Sequence, residues 1–184
     1  MHPLMRVREM TATDIDAVAA LRVSGWRYAY AGLMPSGYLA AMSVAADAAR
    51  RRRMFAEADG SVTDLVAESA DGTVTGWAAL GPYRPDGPHA GGEPASGGEL
   101  YALYVRPDLI GTGVGRALMN HTLEAAAARG FPRLFLWVVE GNARARRFYE
   151  RAGFALDGGM DTYDVEGTAV PMVRYVSENV SGAA

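Results

Sequence analysis

Residues 99–129 read ELYALYVRPDLIGTGVGRALMNHTLEAAAAR, and this stretch decides the fold. An apolar run, Leu100 to Val105, is closed by Arg106-Pro107. A glycine loop follows, Ile110-Gly111-Thr112-Gly113-Val114-Gly115. Beyond it the spacing predicts a helix with Ala117, Leu118, His121, Thr122, Ala125 and Ala128 on one face. A strand feeding a glycine loop that opens a helix makes an anion site. Unpaired N–H groups and the helix dipole point at one spot, and glycine lets a phosphate approach the backbone. The stretch therefore predicts a phosphorylated ligand. By itself the loop reads equally as a tight strand-to-helix turn. It is G-x-G-x-G, not the G-x-G-x-x-G of a dinucleotide fold, and no G-K-[ST] is present.

Working outward, residues 142–154 read NARARRFYERAGF. Asn142 is a good N-cap, Ala145, Phe148 and Tyr149 fall on one face, and Gly153 ends the helix. Before it, Arg133 to Val139 reads as a strand by its aromatic and β-branched content.

Together the two blocks resemble the GCN5-related N-acetyltransferases, the GNAT superfamily. Gly113 and Gly115 match that family's Q/R-x-x-G-x-G/A signature. Asn142, Ala145, Phe148, Tyr149, Gly153 and Phe154 match its N-x-x-A-x-x-F-Y-x-x-x-G-F signature. Ile110 stands where the family usually has Gln or Arg, which leaves phosphate binding to backbone N–H groups. The resemblance implies an α/β (α+β) fold with a central mixed, largely antiparallel sheet flanked by helices. Two neighbouring parallel strands splay apart there to admit the pantetheine arm. In this chain they would be residues 100–105 and 134–139.

The resemblance also implies an acetyl-CoA-dependent N-acetyltransferase acting on a primary amine of a small molecule or peptide, with CoA as product. On that pattern the backbone of Leu103 and Val105 bonds the pantetheine, and the Leu103 N–H polarises the thioester carbonyl. N–H groups of Gly111, Thr112, Gly113, Val114, Gly115 and Arg116 cradle the pyrophosphate. Asn142 contacts the pantetheine or an ordered water. Among Arg144, Arg146 and Arg147, Arg146 is assigned to the 3′-phosphate, although a solvated helix face explains all three equally well. Tyr149 matches the tyrosine that protonates the leaving thiolate. Ordinary pKa values of about 10 for tyrosine and about 8.5 for a thiol permit that transfer; a packed aromatic beside Phe148 is the other reading.

Glu99 lies 11 positions before Ile110, the spacing of the base glutamate in histone-type members. Strand alternation predicts Glu99, Tyr101, Leu103 and Val105 on one face. A carboxylate there can relay a proton through water; a solvated strand end is the alternative. Residues 25–35, GWRYAYAGLMP, resemble small bacterial members with a W-x-x-x-Y-x-G-L-x-P pattern. Trp26, Tyr28 and Tyr30 can line an amine pocket through cation–π contact or pack a helix onto the sheet. Asp157, Asp161 and Asp164 can face a cationic amine or solvate a hairpin. The Arg50 to Arg53 run points all round a helix and reads as surface.

Composition is compatible. A length of 184 residues predicts one domain, residues 1–176, with a frayed tail at 177–184. Hydrophobic residues make up 49%, enough for a core without staples. The absence of cysteine excludes disulfides, thiolate metal sites and a cysteine nucleophile. The histidines His2, His89 and His121 are scattered, so no metal is expected, and no G-x-S-x-G elbow is present. Net charge −3 weighs against nucleic-acid and membrane partners. Residues 1–10 lack a signal pattern, and the expected location is cytoplasmic. The resemblance implies a homodimer. Two other readings stay open: a non-catalytic acyl-CoA-binding or sensor module, and a nucleotide-binding protein with an unrelated glycine loop.

The remaining expectations are coarse. Residues 5–10 form a strand, and Thr11 or Thr13 caps a helix through 14–21. A second helical stretch runs from 35 to 55. Residues 61–70 and 73–81 form a hairpin about Asp71-Gly72. Residues 83–98 form a mobile loop. Residues 154–164 and 168–176 close the sheet.

Overall fold

The computed structural model describes residues 5–85, 96–178 and 180. Seven strands form one sheet in the order β1-β2-β3-β4-β5-β7-β6. They are β1 (Arg6–Glu9), β2 (Thr63–Glu68), β3 (Val74–Pro82), β4 (Gly98–Val105), β5 (Leu134–Val139), β6 (Ala155–Val165) and β7 (Thr168–Ser177). Every neighbouring pair is antiparallel except β4–β5. The mixed, largely antiparallel sheet expected from the sequence is the one found. Helices α1 (Ile15–Ala29), α2 (Ser36–Ala41) and α3 (Val44–Ala56) contribute to the core on one face, and α4 (Val114–Ala128) and α5 (Ala143–Arg151) pack on the other.

The first helix runs about two turns beyond the expected end, to Ala29, and so carries Trp26 and Tyr28. The expected single helix over 35–55 is two. Met42 and Ser43 are extended, with ψ of 129° and 123°. Ser43 restarts the helix by accepting the Ala46 N–H at 3.2 Å. Arg27 closes the preceding end, donating to the carbonyls of Leu39, Ala40 and Met42 at 2.8–3.1 Å. Those carbonyls have no intrahelical donor, so a cation there serves both hydrogen bonding and the helix dipole.

The α4 stripe is also rotated from expectation. Val114, Leu118, Met119, Thr122, Leu123 and Ala126 are buried, whereas His121 and Ala128 are exposed. The larger side chains Leu118, Met119 and Leu123 set the buried stripe. They meet Leu65, Leu80 and Leu100 from one half of the sheet and Leu136, Val138 and Tyr175 from the other. Arg51 departs from the surface reading of its run. It is buried, ion-paired to Asp47 at 2.7 Å, with its guanidinium 4.2 Å from the Trp77 ring centroid.

Of the expected mobile loop, residues 86–95 lie outside the described residues. Its flanks are tied down: Tyr83 packs on Phe135, the Tyr83 N–H donates to the Gly97 carbonyl, and Gly98 begins β4. The described part of the expected tail is packed. Ser177 ends β7, and Val180 is buried in the α4-side core; residues 179 and 181–184 lie outside the described residues.

At the start of α1, Arg8 donates to both oxygens of Asp14 at 2.7 and 3.0 Å and to Glu68 at 2.8 Å. The Arg8 bond holds the Asp14 carboxyl down at a pKa of about 2. A carboxylate depressed in the folded state stabilises above its unfolded pKa and loses that contribution as pH falls through the folded value. Asp14 is therefore expected to contribute about 2 kcal/mol above pH 4, lost between pH 4 and 2. Urea titrations of Asp14→Asn across that window should show the acid-dependent part removed; an unchanged acid limb would contradict it.

Candidate active site at the strand seam

The site is organised by the parallel pair that stops early. β4 and β5 pair only at Gly98–Leu134, Glu99–Phe135 and Leu100–Leu136. Beyond these the strands part, as expected for 100–105 and 134–139. The Arg106 N–H donates to the Thr75 carbonyl at 2.9 Å, on the β3 side. Alternation then sends the Leu103 and Val105 N–H groups the opposite way, into the seam, where β5 gives them no partner.

One inserted residue changes which side chains face where. Ala79 pairs with Ala102 and Leu80 with Leu100, so Tyr101 is a bulge. The expected single face of Glu99, Tyr101, Leu103 and Val105 is broken at that point. Leu103 and Val105 pack toward α4. Tyr101, Ala102 and Tyr104 join the cluster of Val18, Leu21 and Trp77 beneath α1.

At the mouth of the seam, Gly111 and Gly113 have φ of +87° and +102°. Only glycine adopts these without strain. Gly113 is the N-cap of α4 and offers no side-chain cap. The N–H groups of Val114, Gly115 and Arg116 in the first turn have no intrahelical acceptor and carry the positive end of the helix dipole. Thr112 differs from its neighbours. Its N–H and hydroxyl both bond the Leu109 carbonyl, at 3.2 and 2.7 Å, so its donors are used within the loop. Gly115 draws the elements together: a Cβ there would lie 3.4 Å from Phe148 and 3.5 Å from Val105.

From α5, Asn142 caps the helix by accepting the Ala145 N–H at 3.2 Å. Arg146 is tied to the neighbouring strand rather than left on a free helix face. It donates to the Tyr175 hydroxyl at 3.0 Å and the Glu140 carbonyl at 3.1 Å, and Tyr175 donates to Glu150 at 2.8 Å. Arg144 donates to the Tyr28 hydroxyl at 2.9 Å. Arg116 and Arg147 are exposed.

Tyr149 is half-buried, edge-to-face with Phe148 and Phe154. Burial raises its pKa, and the neighbouring Tyr104 adds to the rise. Burial also raises Tyr104, and Tyr30 at the end of α1 is raised by burial and by Tyr104. Three phenols that hold their protons through neutral pH thus converge on the seam from α1, β4 and α5.

Glu99 is 3% exposed at the closed end of the seam. Its carboxylate accepts the Arg84 main-chain N–H at 3.0 Å and the Arg84 Nη2 at 2.8 Å. The same guanidinium lies 3.8 Å from the Tyr101 ring centroid. A cavity of about 980 Å³ opens over this face, with Trp26, Tyr30, Glu99, Tyr104 and Trp137 among its lining residues. Sequence reading missed Arg84, which falls inside the stretch read as a loop, and Trp137, which read as strand core. Of the three aspartates weighed for amine binding, Asp157 is ion-paired to Arg174 at 2.8 Å, and Asp164 accepts the Gly167 N–H in the β6–β7 turn. Tyr28 is exposed, whereas Trp26 and Tyr30 both pack and line the cavity.

The described residues contain no helix long and apolar enough to cross a membrane and no cluster suited to a metal ion. The acetyltransferase (GNAT) family model matches residues 29–154. YuaI of Bacillus subtilis (strain 168), an uncharacterized N-acetyltransferase, is 30% identical over 141 residues, 76% of this chain and 74% of that one. The L-methionine sulfoximine/L-methionine sulfone acetyltransferase of Pseudomonas paraeruginosa is 34% identical over 115 residues, 62% of this chain and 63% of its own length. The PaiA N-acetyltransferase of Thermoplasma acidophilum, solved in complex with coenzyme A, superposes with a TM-score of 0.68. That match has 19% identity and covers 95% of this chain and 98% of that one. The chain belongs to the GNAT acetyltransferases, a family of enzymes that use acetyl-CoA.

Gly113→Ala should cost about 1 kcal/mol through its left-handed φ. It should also reduce the thermal shift that CoA produces, because the first turn of α4 must move. Urea and thermal unfolding measure both; an unaltered CoA shift would separate this turn from ligand binding.

Proposed function

We propose that the protein transfers the acetyl group of acetyl-CoA to a primary amine of a small molecule or peptide, by direct attack on the thioester. One observation carries this reading. The two unpartnered donors of β4, the uncapped end of α4 and the Tyr149 phenol all address one seam. Bound there, acetyl-CoA supplies an activated acetyl group. The backbone of Leu103 and Val105 holds the pantetheine arm as an added strand would. The Leu103 N–H polarises the carbonyl that becomes an oxyanion.

N–H groups of Gly111, Gly113, Val114, Gly115 and Arg116 hold the pyrophosphate. The Asn142 side-chain NH₂ donates to the arm. With Arg146 bound to Tyr175, the 3′-phosphate falls to the exposed Arg116 or Arg147. Glu99 accepts the proton that the amine loses, through water. Tyr149, a phenol protonated at neutral pH, returns one proton to the departing sulfur. The P. paraeruginosa relative is named for small-molecule acceptors, which favours a small molecule here. The reading also takes the protein to be a cytoplasmic homodimer.

Thermal unfolding with acetyl-CoA, against NAD and ATP, tests the donor. Ligand at 100 times its Kd should stabilise by about 2.7 kcal/mol, a shift of a few degrees. A shift with NAD or ATP alone would replace this reading with nucleotide binding. Tyr149→Phe should lower kcat by about 10²–10⁴-fold while the CoA shift survives; unchanged turnover would remove Tyr149 from the mechanism. Glu99→Gln should move the pH–rate profile to higher pH, since the amine must then lose its proton to bulk water. A profile that stays in place would assign deprotonation to water in the parent enzyme.

A further inference from the structure

Resting on that reading, the cavity lining names the acceptor class. We infer that the acceptor is a monoamine carried on an aromatic or aliphatic body, not a polyamine or aminoglycoside. The wall beside the seam is built by Trp26, Tyr30, Met34, Trp137, Tyr163 and Met172. Trp26 and Tyr30 meet edge-to-face at 5.0 Å, and these side chains belong to one apolar cluster with Val139, Val165 and Val170. No member of that wall carries a formal charge.

The carboxylates among the described lining residues are Glu9, Asp59, Asp64 and Glu99. Glu9 and Asp64 belong to β1 and β2, and Asp59 to the connection before β2. β2 stands three strand positions from β5, roughly 14 Å away at normal strand spacing. Glu99 is near enough, but Arg84 neutralises it. Arg22 at the edge of the wall shares the Asp47 carboxylate with Arg51 and Arg50, at 2.9, 2.7 and 3.7 Å, so this cluster keeps a net positive charge, and the Arg22 guanidinium lies 4.6 Å from the Trp26 ring centroid.

A polycation entering this wall would bury ammonium groups with no free carboxylate beside the rings among the described lining residues, which is costly. A single ammonium differs, because ring faces attract it. Low-dielectric surroundings then favour its neutral form, the form that attacks. The apolar body gains by leaving water against the rings.

The test is titration by intrinsic tryptophan fluorescence, which Trp26 and Trp137 supply, with and without CoA. Probes are phenethylamine, spermidine and kanamycin. Phenethylamine should bind at least tenfold tighter than each of the others and be the best acceptor in thiol-release assays. Tyr163→Asp, on edge strand β6, places a carboxylate in the wall. It should narrow the phenethylamine-to-spermidine ratio at least tenfold, with the CoA thermal shift unchanged as the control for folding. If the substitution unfolds the protein, Met34→Glu serves instead. Equal or tighter binding of spermidine or kanamycin, or no binding of phenethylamine, overturns the inference. Loss of the CoA shift in the parent protein overturns the donor reading separately, because amine binding is also measured without CoA.

Discussion

Backbone hydrogen-bond accounting at the β4–β5 seam governs this molecule. A strand edge inside a protein must find partners for its N–H and C=O groups. β4 satisfies its β3 side almost throughout, yet it pairs with β5 at only three positions. The bulge at Tyr101 coincides with the end of that pairing and adds local twist. It also reassigns the faces of the strand. With unbroken alternation Glu99 and Leu103 would share a face, and Tyr104 would point toward α4. The extra residue instead places Tyr104 beneath α1 with Glu99, while Leu103 and Val105 pack toward α4.

The electrostatics follow the same division. Buried carboxylates beneath the first three helices come with their own arginines: Asp14 with Arg8, Asp47 with Arg22 and Arg51, and Glu99 with Arg84. Leaving one partner of such a pair alone in the interior is strongly unfavourable. The pairing fixes these side chains and leaves aromatic surface facing the cavity.

Much of the fold was legible because the decisive signals are local. Glycines at Gly111 and Gly113 are demanded by their positive φ. Asn142 caps its helix with its own side chain, and the Asp71-Gly72 turn is closed by bonds from Ser69 and Thr73 to Asp71. The errors arose where a distant partner decides the outcome. The helix break at Met42 and Ser43 is held by Arg27, a turn and a helix away in sequence. The Arg146 bond to Tyr175 likewise joins residues 29 apart, which no local pattern shows. Spacing singles out Glu99, but Arg84 has no motif to announce it. The Tyr101 bulge is a matter of register against β3, which one strand's alternation cannot reveal.

The early end of β4–β5 pairing has a mechanical consequence. Only three residue pairs stitch β1–β4 to β5–β7–β6, so the sheet alone is a weak hinge between two slabs. Leu118, Met119 and Leu123 of α4 share one core with side chains from both slabs, making that helix a splint across the joint. The same helix presents its uncapped end at the mouth of the seam. Load on the splint and occupancy of the seam are therefore borne by one rigid rod, and stiffness on one side of the sheet becomes a property of what sits between its halves.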